Sequence, residues 1–214
     1  MLCGPRAATC GLFLLHVLGA DCMNYQNRLK GAVTQSLVRS LFAQAGLTVV
    51  PLGIEETVRE VADLPMDQYV GLGLPIALRK LPDFFAANRE RTTHWLVEVK
   101  YRRQWSDAVR DELGQTLAQQ VSTWDPLVVF IFVGETPSQF DQPSSWVRAA
   151  QVKMDGDVLK FRPHGGGDYL PWGQATFFSL QRVQDVFPQL NDAQLWESSA
   201  LRLTLEMSRG LTRL

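Results

Sequence analysis

Two short stretches of this 214-residue chain set ionisable side chains where they could act together. Leu81-Pro82-Asp83-Phe84-Phe85 is followed, after the hairpin-length interval 84–97, by Glu98-Val99-Lys100. Side chains on a strand alternate between faces, so Glu98 and Lys100 share one face while Val97 and Val99 point into the other layer. If Asp83 ends the neighbouring strand, its carboxylate converges with Glu98. Two carboxylates and a backbone carbonyl such as that of Val99 make an oxygen-rich site suited to Mg²⁺ or Mn²⁺. A lysine beside that site would orient or deprotonate water, or neutralise charge developing on a phosphate.

The rest of the composition narrows the chemistry to these residue types. All three cysteines (Cys3, Cys10, Cys22) fall in the first 22 residues, so no disulfide framework or cysteine zinc site is available from Met23 onward. Histidine is limited to His16, His94 and His164, which leaves carboxylates, lysine, arginine and hydroxyls. The formal net charge of -1 gives no global attraction for polyanions, so any such site must be local. Between Arg79 and Arg110 eight basic residues face four acids. Arg89, Arg91, Arg102 and Arg103 are the candidate phosphate contacts of that basic stretch.

Several elements must hold these groups in place. Val33, Leu37, Leu41 and Ala45 recur every fourth position, with Val38 and Phe42 widening the stripe and Gly46 as the stop, which predicts a helix over Leu29 to Ala45. A short strand over Leu47 to Leu52 follows. Gly53 to Leu81 reads as an irregular insertion with a helix at Ile54 to Ala62 and turn signals at Pro65, Gly71, Gly73 and Pro75. Asp83 to Ala87 and Thr93 to Tyr101 read as an antiparallel hairpin around a polar turn. Ser106 caps a helix to Trp124, with Val109, Leu113, Leu117, Val121 and Trp124 on one stripe. On that helix Gln115 and Gln119 fall away from the stripe and Gln120 at its edge. The unbroken apolar run Leu127 to Val133 predicts a strand covered on both faces, reached by a crossover. Val147 to Met154 and Val158 to Arg162 flank Asp155-Gly156, a hairpin signal.

Pro82-Asp83 with Glu98-Val99-Lys100 resembles the PD-(D/E)XK phosphodiesterase superfamily of restriction endonucleases and Holliday-junction resolvases. Lys30-Gly31-Ala-Val-Thr-Gln35 is similar to the Lys-Gly-x-x-x-Glu opening of archaeal-type junction resolvases. The resemblance covers roughly Arg28 to Val133. It implies an α/β fold, a restriction endonuclease-like mixed central sheet flanked by helices, here with an extra C-terminal hairpin and helix. It further implies metal-dependent hydrolysis of nucleic acid, most simply as a DNA endonuclease. Asp83 and Glu98 would be metal ligands with the Val99 carbonyl, Lys100 the catalytic lysine, and Gln35 a contact to metal-bound water. Gln35 stands where the family usually carries Glu, and Glu55 or Glu56 would be the spatial substitutes. The alternative that Gln35 leaves open is a catalytically inactive module that keeps the fold and binds nucleic acid or a protein partner.

The ends are read from composition. Residues 1–22 are a leader or a mis-assigned start: the apolar run from Gly11 to Ala20 is too short to span a membrane, and the near-absence of basic residues favours a start at Met23 over a signal peptide. That places the protein in the cytoplasm, with export as the alternative, and 23–214 as a single domain with a core over 28–133 and an elaboration over 147–214. Asn191 is expected to cap a last helix bearing Trp196, Ala200, Leu203, Met207 and Leu214 on one face. Leu201 and Leu205 lie on another, a homodimer surface. His164-Gly165-Gly166-Gly167 is expected to be a turn, since no Gly-x-Ser-x-Gly elbow accompanies it. Gly71-Leu-Gly73 lacks a third glycine and is no dinucleotide loop. The Trp and Phe residues of the last 45 positions are expected in the core.

Overall fold

The computed structural model describes residues 29–54, 61, 64–135 and 145–191. Helix α1 covers 29–44, where the four-residue stripe buries Val38, Leu41 and Phe42. The chain leaves it through Gly46, whose φ of 74° is the left-handed conformation glycine adopts at little cost. Strand β1 (Thr48–Pro51) follows. The insertion differs from the expectation of an irregular segment: Pro65 and Pro75 each stand just before a short helix, α2 (Met66–Gly71) and α3 (Ile76–Arg79). A fixed proline φ is compatible with a helix start, so these prolines open elements as well as closing the preceding ones. Glu55, Glu56 and most of the helix expected to Ala62 lie outside the described residues.

Strands β2 (Phe84–Ala87) and β3 (His94–Arg102) form the antiparallel hairpin, with β1 antiparallel on its outer edge. Asn88 closes the turn by accepting from the Thr93 N–H at 3.0 Å and donating to Thr92 Oγ1 at 2.8 Å. Helix α4 (Asp107–Val121) starts at Ser106, whose side chain accepts from the Val109 N–H at 3.3 Å. It crosses over to β4 (Leu127–Val133), which pairs parallel to β3 and is buried at all seven positions. Beyond it come β5 (Val147–Asp155), β6 (Val158–Phe161) and the two-residue β7 (Leu170–Pro171), all antiparallel, giving a mixed seven-stranded sheet in chain order. Gly156, at φ 58°, makes the β5–β6 turn that Asp155-Gly156 predicts.

Each face of the sheet has its own core. Phe84, Ala86, Val97, Val99, Phe130 and Phe132 pack under α1 and the short helix α5 (Val183–Val186). Val129, Ile131, Ala150 and Val152 pack under Leu113, Leu117 and Val121 of α4. Helices on both faces of a mixed sheet make this an α/β fold. Trp172, Phe177 and Phe187 are in the core as expected, but Phe178 is 42% exposed, with the Arg148 guanidinium 5.2 Å over its ring. Among the described residues no helix is long and apolar enough to cross a membrane. Residues 1–28, with both readings of the amino end, lie outside the described residues, and so does the terminal segment with Trp196, Leu201 and Leu205. Asn191 ends a 3₁₀ turn, Pro188–Asn191.

Candidate active site at the β2–β3 junction

The hairpin register brings the two motifs together. Phe84 pairs with Val97, so Asp83 stands one position beyond the last paired row, opposite Glu98. Its carboxylate is held from two directions. Oδ1 accepts from Gln35 Nε2 at 2.7 Å, and Oδ2 accepts from the Val99 N–H at 2.7 Å. Gln35 comes from α1, which the first core anchors to the sheet; the contact spans 48 positions of sequence. Its amide therefore reaches Asp83 as a hydrogen-bond donor.

Glu98 is 5% exposed, on the face of the sheet that α4 covers. A carboxylate at that depth loses most of its hydration, which charged or hydrogen-bonding partners must replace. Lys100, on the same face two residues on, contacts Oε1 as an ion pair; its side chain keeps 22% of its surface. Gln120 of α4 donates to Oε2 at 2.7 Å and to the Lys80 carbonyl at 3.3 Å. Lys80 Nζ in turn donates to Gln119 Oε1 at 3.1 Å, and Trp124 Nε1 to the Ala77 carbonyl at 3.3 Å. These contacts tie the insertion to the end of α4 beside the carboxylates. Gln115 and Gln119 are exposed, as their helical phase predicts, whereas Gln120 is 4% exposed and a member of the site. Its position at the edge of the apolar stripe was the available signal, because a polar group at a buried boundary must find a partner there.

The candidate phosphate contacts fall at the two ends of the hairpin. Arg89 and Arg91 sit in the β2–β3 turn, beyond the Ala87–His94 pair and about 14 Å from Asp83 by strand rise. Arg102 lies at the other end of β3, donating to the Tyr101 carbonyl at 2.9 Å and to Glu112 Oε1 at 3.1 Å. Arg103 is exposed and bound to Glu135 at 2.7 Å; this hydrogen bond, more than the charge attraction, raises its pKa. The basic residues thus occupy two ends of the hairpin, with Lys100 between them.

As a donor set the site offers hard oxygens: the Asp83 and Glu98 carboxylates, to which the Val99 backbone belongs spatially through its N–H contact with Asp83. Carboxylate oxygens already oriented by hydrogen bonds are hard donors of the kind Mg²⁺ or Mn²⁺ takes, so the chemistry of the donor set fits those ions. No cluster of three or more His, Cys, Asp or Glu side chains occurs among the described residues; the other side chains bonded to the two carboxylates are Gln35, Lys100 and Gln120. His164 is apart from it, paired with Asp185 at 2.9 Å, and Gly165, Gly166 and Gly167 all take positive φ in a turn. Compared with protein-family models, curated proteins and solved structures, the chain matches none.

Proposed function

We propose that this protein is a metal-dependent phosphodiesterase of restriction endonuclease-like fold that hydrolyses nucleic acid, with DNA as substrate. The observation that carries the reading is the hairpin register, which sets Asp83, bonded to the Val99 N–H, opposite a buried Glu98 that is paired with Lys100 and Gln120. The order of helix, three antiparallel strands, crossover helix and parallel strand supports it as well.

Asp83 and Glu98, with the Val99 carbonyl, would hold Mg²⁺ or Mn²⁺. When bound, the ion supplies Lewis-acid neutralisation of phosphate charge. The chain's own groups do the rest. Gln35 and the Val99 N–H fix the Asp83 carboxylate, and Gln120 fixes that of Glu98, so neither needs to reorganise when a phosphate arrives. Lys100, partly exposed on the same face as Glu98, is the cation that would orient the attacking water or bind a phosphate oxygen.

The test is incubation of purified protein with linear, branched and single-stranded DNA plus Mg²⁺ or Mn²⁺. Cleavage is expected, falling by about 100-fold or more in Asp83→Ala and Lys100→Ala. No cleavage of any substrate, or unchanged cleavage by both variants, refutes the mechanism. A second reading, a catalytically silent binding module, is favoured by one observation: Gln35 presents an N–H to Asp83 where an acid would present oxygen. Calorimetry with Mg²⁺ separates the two, since only the enzyme requires metal binding that depends on Asp83 and Glu98.

A further inference from the structure

A groove lies on the sheet toward the β2–β3 turn, beginning one same-face row beyond the Asp83–Glu98 position. It encloses about 360 Å³ and is lined by Thr48, Val50, Phe85, Ala87, Arg91 and His94. Register places these residues in two successive rows, Thr48–Ala87–His94 and Val50–Phe85–Leu96. The next position along the same two strands of the hairpin is Asp83 opposite Glu98. Side-chain alternation puts Leu96, Glu98 and Lys100 on one face of β3, so the groove and Glu98 share a face.

The lining has a definite chemistry. Phe85 and His94 hold their rings near-parallel, 21° apart with centroids at 5.9 Å, the first half-buried and the second exposed. Val50 is 45% exposed beside them, and no acid lines the groove. Arg91 stands at the rim and makes no ion pair among the described residues. Its φ of 57° is the left-handed conformation that a side chain of this size seldom adopts, a strain of about 1 kcal/mol held by the turn. An apolar, aromatic floor with a cation at its rim suits a flat heterocycle attached to a phosphate. Adjacent rows are about 6.8 Å apart along the strand. That is about twice the 3.4 Å rise per nucleotide of a duplex strand, so the step from carboxylates to groove fits an unstacked nucleotide rather than a stacked one.

Resting on the phosphodiesterase reading, we infer that the groove is a nucleobase subsite: an unpaired base next to the scissile phosphate stacks on Phe85 and His94, with Arg91 on a flanking phosphate. The favoured substrate is then a single-stranded or frayed segment, and an intact duplex must first release a base to use the groove.

The experiment is equilibrium binding of a single-stranded oligonucleotide carrying 2-aminopurine, in EDTA so that no metal-dependent cleavage occurs, against the same sequence as a duplex. Wild type should quench the fluorescence and bind the single strand more tightly. Phe85→Leu keeps the apolar volume and removes the ring; His94→Ala changes an exposed side chain and leaves the fold intact. Each should weaken single-strand binding about tenfold with little effect on the duplex. Equal affinity for the two forms, or single-strand binding indifferent to both variants, overturns the inference. If cleavage occurs without these effects, the subsite is wrong and the chemistry stands. If the single strand binds in this ring-dependent way and nothing is cut, the subsite stands and the chemistry is wrong.

Discussion

Gly114 sits in the middle of α4, where helix propensity alone favours alanine by about 1 kcal/mol. The structure predicts the opposite outcome for Gly114→Ala. A Cβ built there would lie 2.5 Å from Trp172 Cδ1 and 2.8 Å from Nε1, about an ångström inside ordinary contact. The indole has little room to retreat: it is 5% exposed, packed edge-on to Phe161 and Trp105, and its Nε1–H donates to the Arg110 carbonyl at 2.7 Å. Overpacking a rigid core costs about 1–3 kcal/mol. Loss of the indole hydrogen bond adds about 1 kcal/mol. Set against the propensity gain, the net destabilisation is about 1–3 kcal/mol, or roughly 2–12 °C in Tm for a domain of this size. Urea titration followed by tryptophan fluorescence and by circular dichroism measures it. A smaller penalty in a Trp172→Phe background would assign the effect to this contact through a double-mutant cycle. A Gly114→Ala protein as stable as wild type, or more so, refutes the reasoning.

Gln120→Leu should destabilise by about 2–4 kcal/mol, because it leaves the buried Glu98 Oε2 and the Lys80 carbonyl without their shared donor. Denaturant titration reads the loss, and Mg²⁺-dependent cleavage should fall with it; a variant unchanged in both would show that the amide positions nothing. At the β5–β6 turn, the hydrogen bond from Lys160, more than its charge, holds the Asp155 carboxyl below the usual carboxylate range. A carboxyl depressed on folding contributes stability above its unfolded pKa and loses it as pH falls through the folded value, so this contribution fades only in acid. An NMR titration should find the Asp155 midpoint rising toward the ordinary value in Lys160→Ala, with Lys153 still holding it slightly low, and an unmoved midpoint would refute the pairing. The pair is exposed, so salt should shrink the effect.

Local patterns carried much of the framework. The uninterrupted run Leu127 to Val133 has no polar face to offer solvent, and it is the strand buried on both sides. Ser106, Gly46 and Asp155-Gly156 act through their own backbone neighbourhoods, so their roles are readable without knowing what packs against them. Alternation along Glu98-Val99-Lys100 likewise put the ion pair on one face before any partner strand was known. What periodicity cannot encode is which faces meet. Three glutamines crowd one helix, and only docking of α4 on the sheet selects Gln120 for Glu98. Gln35 and Asp83 meet because α1 and the start of β2 share a core across 48 positions. Arg89, Arg91, Arg102 and Arg103 form one basic stretch in sequence, yet a hairpin sends its turn and its open end in opposite directions and divides them. Gly114 reads as a weak point in a helix until Trp172, brought in from beyond four further strands, occupies the space a side chain would need. Local conformation is set by neighbours in the chain, whereas partner choice is set by which buried surfaces close together, and that belongs to the tertiary structure.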